Sequence, residues 1–189
     1  MEIERSAPRR ALVLLDFQED FLADEGRMPV ARHQVMSVMA ATRTAIDHAH
    51  RQQGLIVKIG NEFKRRDVLM NALRRRAAIA GSPGARWDPR FDAENAVYLS
   101  KWRSDAFCNP ALDLLIAEHE VEQLVVAGLY ARACVTATTR GALARGLSVQ
   151  LITDAIACRT DRSRDAALER LGRLGAELIG SQETHVGVR

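Results

Sequence analysis

Three side chains of this 189-residue chain have the right chemistry, between them, to attack a carbonyl: Asp16, Lys101 and Cys134. A thiolate adds to a carbonyl carbon, giving a tetrahedral oxyanion and then a thioester. A carboxylate can take the thiol proton and hand it to a leaving nitrogen. An ammonium beside them, together with the free N–H groups and positive potential of a helix start, favours the thiolate, so a lowered Cys134 pKa is expected. Backbone N–H groups at that helix start can hold the oxyanion. Each residue also has a plain reading: Asp16 as a loop cap, Lys101 as a surface lysine, Cys134 as a small buried hydrophobe. Lys101 stands out because only three of the 27 basic residues, Lys58, Lys64 and Lys101, are lysines. Arg would not replace it freely, being a planar fork rather than a compact point charge.

The elements that must position these groups follow from periodicity. Near-continuous apolar runs at 11–17, 55–59, 97–100, 123–129, 149–153 and 177–180 predict strands, the first of a kind buried on both faces. Amphipathic segments between them predict helices at about 31–53, 64–78, 110–119, 134–145 and 162–174. In the first of these Val35, Met39, Thr42 and Ile46 form the expected buried stripe. In the second it is Val68, Leu69, Leu73 and Ala77. In the last it is Ala166, Ala167, Leu171 and Leu174. The stretch GSPGARWDPRFDAEN at 81–95 has two Gly, two Pro and little periodicity, and reads as a long excursion serving as a lid or a subunit contact. Six strands with intervening helices predict one α/β domain over 1–189, a three-layer α/β/α Rossmann-like fold with a six-stranded, mostly parallel sheet. In such sheets ligands bind beyond the carboxyl ends of strands. Asp16, Lys101 and Cys134 all fall at or just after strand ends.

Composition narrows the functional classes. A formal charge of +3 argues against a nucleic-acid or membrane partner. Cys108, Cys134 and Cys158 form no CxxC pair and suit a reducing cytoplasm. The apolar run ALVLL after a charged N-terminus is too short for a signal peptide, and no window predicts a membrane span. No GxGxxG or P-loop follows the first strand.

Four segments in fixed order, LVLLDFQEDF at 12–21, KWRSDAF at 101–107, VVAGLYARACVTATTRGALARGLSV at 125–149 and LITDAIA at 151–157, resemble the isochorismatase-like cysteine hydrolases. The resemblance implies an Asp16, Lys101 and Cys134 triad, a cis peptide between Leu129 and Tyr130, and an oxyanion hole from the Tyr130 and Cys134 N–H groups. Members that cleave an enol ether lack the cysteine, which is present here. Members with a metal carry an Asp-x-His element after strand two, where this chain has IGNEFKRRD at 59–67 without histidine. His33, His48, His50, His119 and His185 do not supply the spacing, so neither metal nor cofactor is expected. What remains is hydrolysis of an amide, carbamoyl or ureido C–N bond of a small molecule. The alternatives are an ester or cyclic imide substrate, or a non-catalytic binding protein on the same fold. Asn61 and Glu62 are candidate substrate contacts or structural caps, with Glu62 free to pair with Arg65 or Arg66. Phe17, Phe21, Trp102 and Phe107 are candidate pocket walls, although Phe107 reads first as a core residue. The family also implies a homo-oligomer, a dimer or tetramer.

Overall fold

The computed structural model describes residues 9–184, so His185 lies outside the described residues. Six strands form a single sheet: β1 (Arg10–Leu15), β2 (Leu55–Asn61), β3 (Val97–Lys101), β4 (Gln123–Leu129), β5 (Ser148–Ala157) and β6 (Glu177–Ile179). Every pairing is parallel and the order is β3-β2-β1-β4-β5-β6. Parallel strands require crossover connections, and helices pack on both faces, completing the three-layer α/β/α, Rossmann-like architecture. The helices are α1 (Glu19–Leu22), α2 (Arg32–Arg51), α3 (Val68–Leu73), α4 (Ala111–Glu118), α5 (Thr136–Leu143) and α6 (Asp161–Arg173). The core runs along β1 and β4, whose residues Leu12 to Leu15 and Leu124 to Ala127 are fully buried. No helix among the described residues is long and apolar enough to cross a membrane.

The sheet order places a switch between β1 and β4, the strands that lead to Asp16 and Cys134. Gly128 makes this junction possible. It sits at φ +149°, and a Cβ there would lie 2.5 Å from both the Leu15 side chain and the Leu15 carbonyl oxygen. The pairing of β4 with β5 shifts register between Val126 and Gly128, and β5 then continues to Ala157 beside Leu129. β5 is therefore longer than the expected 149–153, because the bulge lets pairing resume past the polar Thr153 and Asp154.

Three expectations need correction. The segment 64–78 is not one helix: α3 stops at Leu73, and Arg75, Arg76 and Ala78 adopt φ of 51°, 60° and 48°. That left-handed turn swings the chain inward, and the buried Asp20 carboxylate accepts the Ala78 N–H at 2.8 Å. Val68, Leu69 and Leu73 consequently face solvent, and only Ala77 is buried. The stripe of α2 is rotated, with Val38, Ala41, Thr42, Ala45, Ile46 and Ala49 buried and Val35 and Met39 only partly so. In α6 the inward residues are Ala167, Leu168 and Leu171, whereas Ala166 and Leu174 are exposed.

The excursion at 81–95 folds into two short 3₁₀ turns, Pro83–Ala85 and Pro89–Phe91, and is fastened to the loop after β1. Asp88 N–H donates to Phe17 O, and Glu19 N–H donates to Arg86 O. Phe91 is fully buried and stacks on Phe17 at 4.3 Å, with Trp87 edge-on at 6.0 Å. A Gly128→Ala substitution is expected to cost at least about 2 kcal/mol, from overpacking against Leu15 and a disfavoured φ. Urea unfolding of the variant would measure it, and unchanged stability would refute the close approach.

Candidate active site

The polar cluster lies at the carboxyl ends of β1, β2 and β3 and in the turn after β4. β1 ends at Leu15, and Asp16 turns sharply out of the strand at φ 60°, a conformation Asp tolerates better than most residues. Its N–H still donates to Ile59 O at 2.9 Å, which keeps the residue at the sheet rim. Lys101 closes β3 and Asn61 closes β2, paired in register with each other. After β4 the Leu129–Tyr130 peptide is cis, and Ala131–Val135 forms a single π-turn leading into α5. Cys134 belongs to this π-turn rather than to the first α-helical residues. The turn is tied by the Thr136 hydroxyl, which donates to Ala131 O at 2.6 Å.

Lys101 is wholly buried, as is Asp16. The ammonium donates to Asp16 Oδ2 at 3.0 Å, Asn61 Oδ1 at 2.7 Å and Arg103 O at 3.4 Å. Its three hydrogens thus have three acceptors. Asn61 is buried too, and its Nδ2 donates to the Cys134 sulfur at 3.7 Å. The amide therefore spans from the ammonium to the thiol. Asp16 Oδ1 is buried and accepts no hydrogen bond among the described residues.

Burial is the largest single influence on each of the three ionisable groups, and neighbouring charges decide the direction at Lys101. It pushes the Asp16 carboxyl up, opposed by the Lys101 ammonium. It pulls Lys101 down, but the charges on Asp16 and Cys134 outweigh it and leave the ammonium above its ordinary value. It pushes the Cys134 thiol up to about 11, and the Asp16 charge adds to the rise more than Lys101 offsets it. The expected depression of the thiol pKa is thus overturned. Desolvation of a nearly enclosed sulfur beside a carboxylate outweighs one ammonium and a helix start.

The other residues singled out from sequence are distributed unevenly. Asn61 has both amide ends engaged by Lys101 and Cys134, so its side chain braces the cluster instead of reaching toward a ligand. Glu62 is partly exposed and accepts the Tyr98 hydroxyl at 3.2 Å; it forms no ion pair with Arg65 or Arg66 among the described residues. Phe17 is fully buried between Phe91 and Trp87 and is a core residue, not a pocket wall. Phe107 is also buried, close against Gly141 of α5 with Arg145 over its ring at 4.0 Å. Phe21 meets the Tyr130 ring edge-on at 5.6 Å, and the Tyr130 hydroxyl donates to Met28 O. Trp102 is partly exposed, with the Lys64 ammonium 5.3 Å from its ring centroid.

Gln18 has a positioning role that sequence reasoning missed. It is fully buried, accepts the Asn61 N–H at 2.8 Å, and donates to Asn61 O at 2.9 Å and Ala85 O at 2.6 Å. One side chain thereby locks the backbone of Asn61 and the start of the excursion to the loop after β1. Its place two residues after Asp16 was the available signal. Among the described residues no group of three or more His, Cys, Asp or Glu side chains is arranged to hold a metal ion.

The comparisons with known proteins agree with this architecture. No protein of curated description matches the chain in sequence. Among solved structures, an isochorismatase-like hydrolase from Alkaliphilus metalliredigens superposes with a TM-score of 0.85 at 20% identity, covering 93% of this chain and 96% of its own. An N-carbamoylsarcosine amidase from Thermoplasma acidophilum gives 0.80 at 24% identity, covering 93% and 98%. A nicotinamidase from Bacillus subtilis gives 0.82 at 21% identity, covering 90% and 98%. At these identities the likeness establishes the fold. The family model for the isochorismatase domain matches residues 10–183, nearly the whole chain, and the protein belongs to the isochorismatase family.

Proposed function

We propose that this protein is a cysteine hydrolase that cleaves an amide, carbamoyl or ureido C–N bond of a small molecule through a thioester. The observation that carries the reading is the buried Lys101–Asp16 ion pair, bridged by Asn61 to the Cys134 sulfur. Fold relatives named as an N-carbamoylsarcosine amidase and a nicotinamidase support the reaction class.

The high thiol pKa determines how the mechanism runs. Losing the Cys134 proton to solvent would leave a net negative charge on the buried trio. Passing it to Asp16 leaves the sum unchanged: carboxylate, ammonium and thiol become carboxylic acid, ammonium and thiolate. Asp16 Oδ1, with no other hydrogen bond, is the acceptor, and burial has already raised its basicity. The thiolate then attacks the carbonyl carbon, and the Tyr130 and Cys134 N–H groups take the oxyanion. Collapse breaks the C–N bond as Asp16 returns its proton to the leaving nitrogen. Water, deprotonated by Asp16, attacks the thioester and expels the Cys134 thiolate, which recovers the proton from Asp16; the product is the acid, or carbamic acid where the substrate is a carbamoyl or ureido compound. Lys101 stays protonated throughout and balances the negative charge wherever it resides.

Three outcomes follow. Cys134→Ala should reduce hydrolysis of a responsive amide from a substrate panel by about three orders of magnitude or more while leaving the circular dichroism spectrum intact; persistence of activity would dismiss the thioester route. In Asp16→Asn, hydrolysis should collapse, yet the alkylation midpoint of Cys134, followed on its own peptide by mass spectrometry, should fall below about 11, because a raising charge has gone. A midpoint that rises would contradict the assigned electrostatics. The acid limb of kcat/KM should lie above the ordinary carboxylate value of 3.8, since activity is lost as Asp16 takes up its proton and burial raises that pKa. Faster turnover of a matched ester than of its amide would redirect the assignment to ester cleavage.

A further inference from the structure

The outward turn of α3 leaves one apolar surface of the molecule without a partner. Of the six residues of α3 only Asn71 is buried. Its amide nitrogen donates to the carbonyls of Lys64 and Arg65, in the loop just before the helix, at 2.9 Å and 3.4 Å. Val68, Leu69 and Leu73 are 73%, 75% and 70% exposed, and Met70 is 45% exposed. α3 therefore projects as a short ridge with its aliphatic side chains turned to solvent. Isolated exposed leucines are ordinary, but a contiguous group of this kind marks an interaction site.

The flanks of the ridge carry charge of one sign. Lys64, Arg65 and Arg66 precede it and Arg74, Arg75 and Arg76 follow it, with Asp67 the one acid among them. None of the six cations forms an ion pair among the described residues. Six cations less one anion give residues 64–76 a local charge of +5 against +3 for the whole chain, so the other residues sum to −2. The modest overall charge, which argues against a membrane partner when averaged over the chain, conceals this concentration. Beside the ridge, Arg27, Arg65, Val68 and Arg76 help to line a cavity of about 330 Å³. Arg27 Nη1 donates to Arg76 O at 3.0 Å and Arg65 Nε donates to Ala80 O at 3.4 Å, which steers two of the three guanidiniums. The acid nearest to them is Asp20, 3.7 Å from Arg27. Oriented guanidinium forks suit phosphate oxygens.

A second copy of this chain is a poor cover for the ridge. A two-fold contact would set the six cations against the same six. Four aliphatic side chains also fall short of the roughly 800 Å² that each partner brings to a stable protein interface. An anionic bilayer needs no matching shape, and it supplies phosphates for the arginines and an acyl boundary for the aliphatic groups. We propose that α3 and its basic flanks dock this protein on an anionic phospholipid surface. Leu69, Met70 and Leu73 enter the acyl boundary, and Arg27, Arg65 and Arg76 take a headgroup phosphate. This assignment is independent of the reaction at Cys134.

Co-sedimentation of the full chain with vesicles tests it. Vesicles of equimolar phosphatidylcholine and phosphatidylglycerol should bind the protein at least about tenfold more tightly than phosphatidylcholine alone, and salt should narrow the difference. Leu69→Ser combined with Leu73→Ser should weaken binding about tenfold, and so should Arg65→Gln combined with Arg66→Gln. Leu114→Ser, at a leucine of α4 that is 71% exposed, should leave binding unchanged. Binding indifferent to phosphatidylglycerol, or an equal loss in Leu114→Ser, would overturn the proposal. So would a chain that ignores vesicles but sediments as a dimer that the paired serine substitutions dissociate, the result expected if a second copy covers the ridge. Should a paired variant not fold, the wild-type chain still decides: phosphatidylglycerol vesicles should slow amide hydrogen exchange across residues 64–76 and not along α4, and unaltered exchange at 64–76 would overturn the proposal.

Discussion

A buried cluster that must stay electrically neutral governs this site. Asp16 and Lys101 are both fully enclosed, and an enclosed charge without a partner is costly enough that neither could persist alone. Together they form an ion pair, and Asn61 and the Arg103 carbonyl take the other two hydrogens of the ammonium. The Cys134 thiol is added to this arrangement as a neutral group, and its raised pKa is the direct result. In the proposed mechanism its proton passes to Asp16, the transfer that keeps the trio neutral. The same enclosure that resists a free thiolate strengthens the attraction between a transient thiolate and Lys101.

The backbone brings these groups together. Three parallel strand ends deliver Asp16, Asn61 and Lys101, and Gly128 lets β1 and β4 approach closely enough for the π-turn to bring the sulfur alongside. Gln18 ties the middle strand end to the first and to the excursion. The excursion, stacked through Phe91 and Trp87 onto Phe17, is thus part of the scaffold behind the site and not a free flap.

Much of this was legible from residue patterns and some was not, for physical reasons. The inner strands β1, β2, β4 and β5 are largely buried and read as near-continuous apolar runs, the edge strands β3 and β6 as short apolar runs, and the rarity of lysine pointed to Lys101. The α3 segment misled because Val68, Leu69 and Leu73 have helical spacing, while the inward swing depends on left-handed conformations at Arg75 and Arg76 and on a distant carboxylate, Asp20. The stripe of α2 was displaced because Ala carries little weight in a periodicity argument, yet Ala41, Ala45 and Ala49 are buried. Phe17 was misplaced because proximity to Asp16 in sequence says nothing about which side of the loop its ring takes. The thiol pKa could not be read from sequence at all: it is set by enclosure, which depends on the whole fold.

The complete coordination of the Lys101 ammonium has a further chemical meaning. An amine held next to an acyl-sulfur ester would ordinarily be a hazard, since migration of the acyl group from sulfur to nitrogen yields a stable amide and a dead protein. Lys101 offers no lone pair to such a migration, because Asp16, Asn61 and the Arg103 carbonyl each bind one of its hydrogens and the ammonium is stabilised above its ordinary pKa. In the proposed thioester mechanism, the network that tunes the sulfur would thereby also protect the protein from acylating itself.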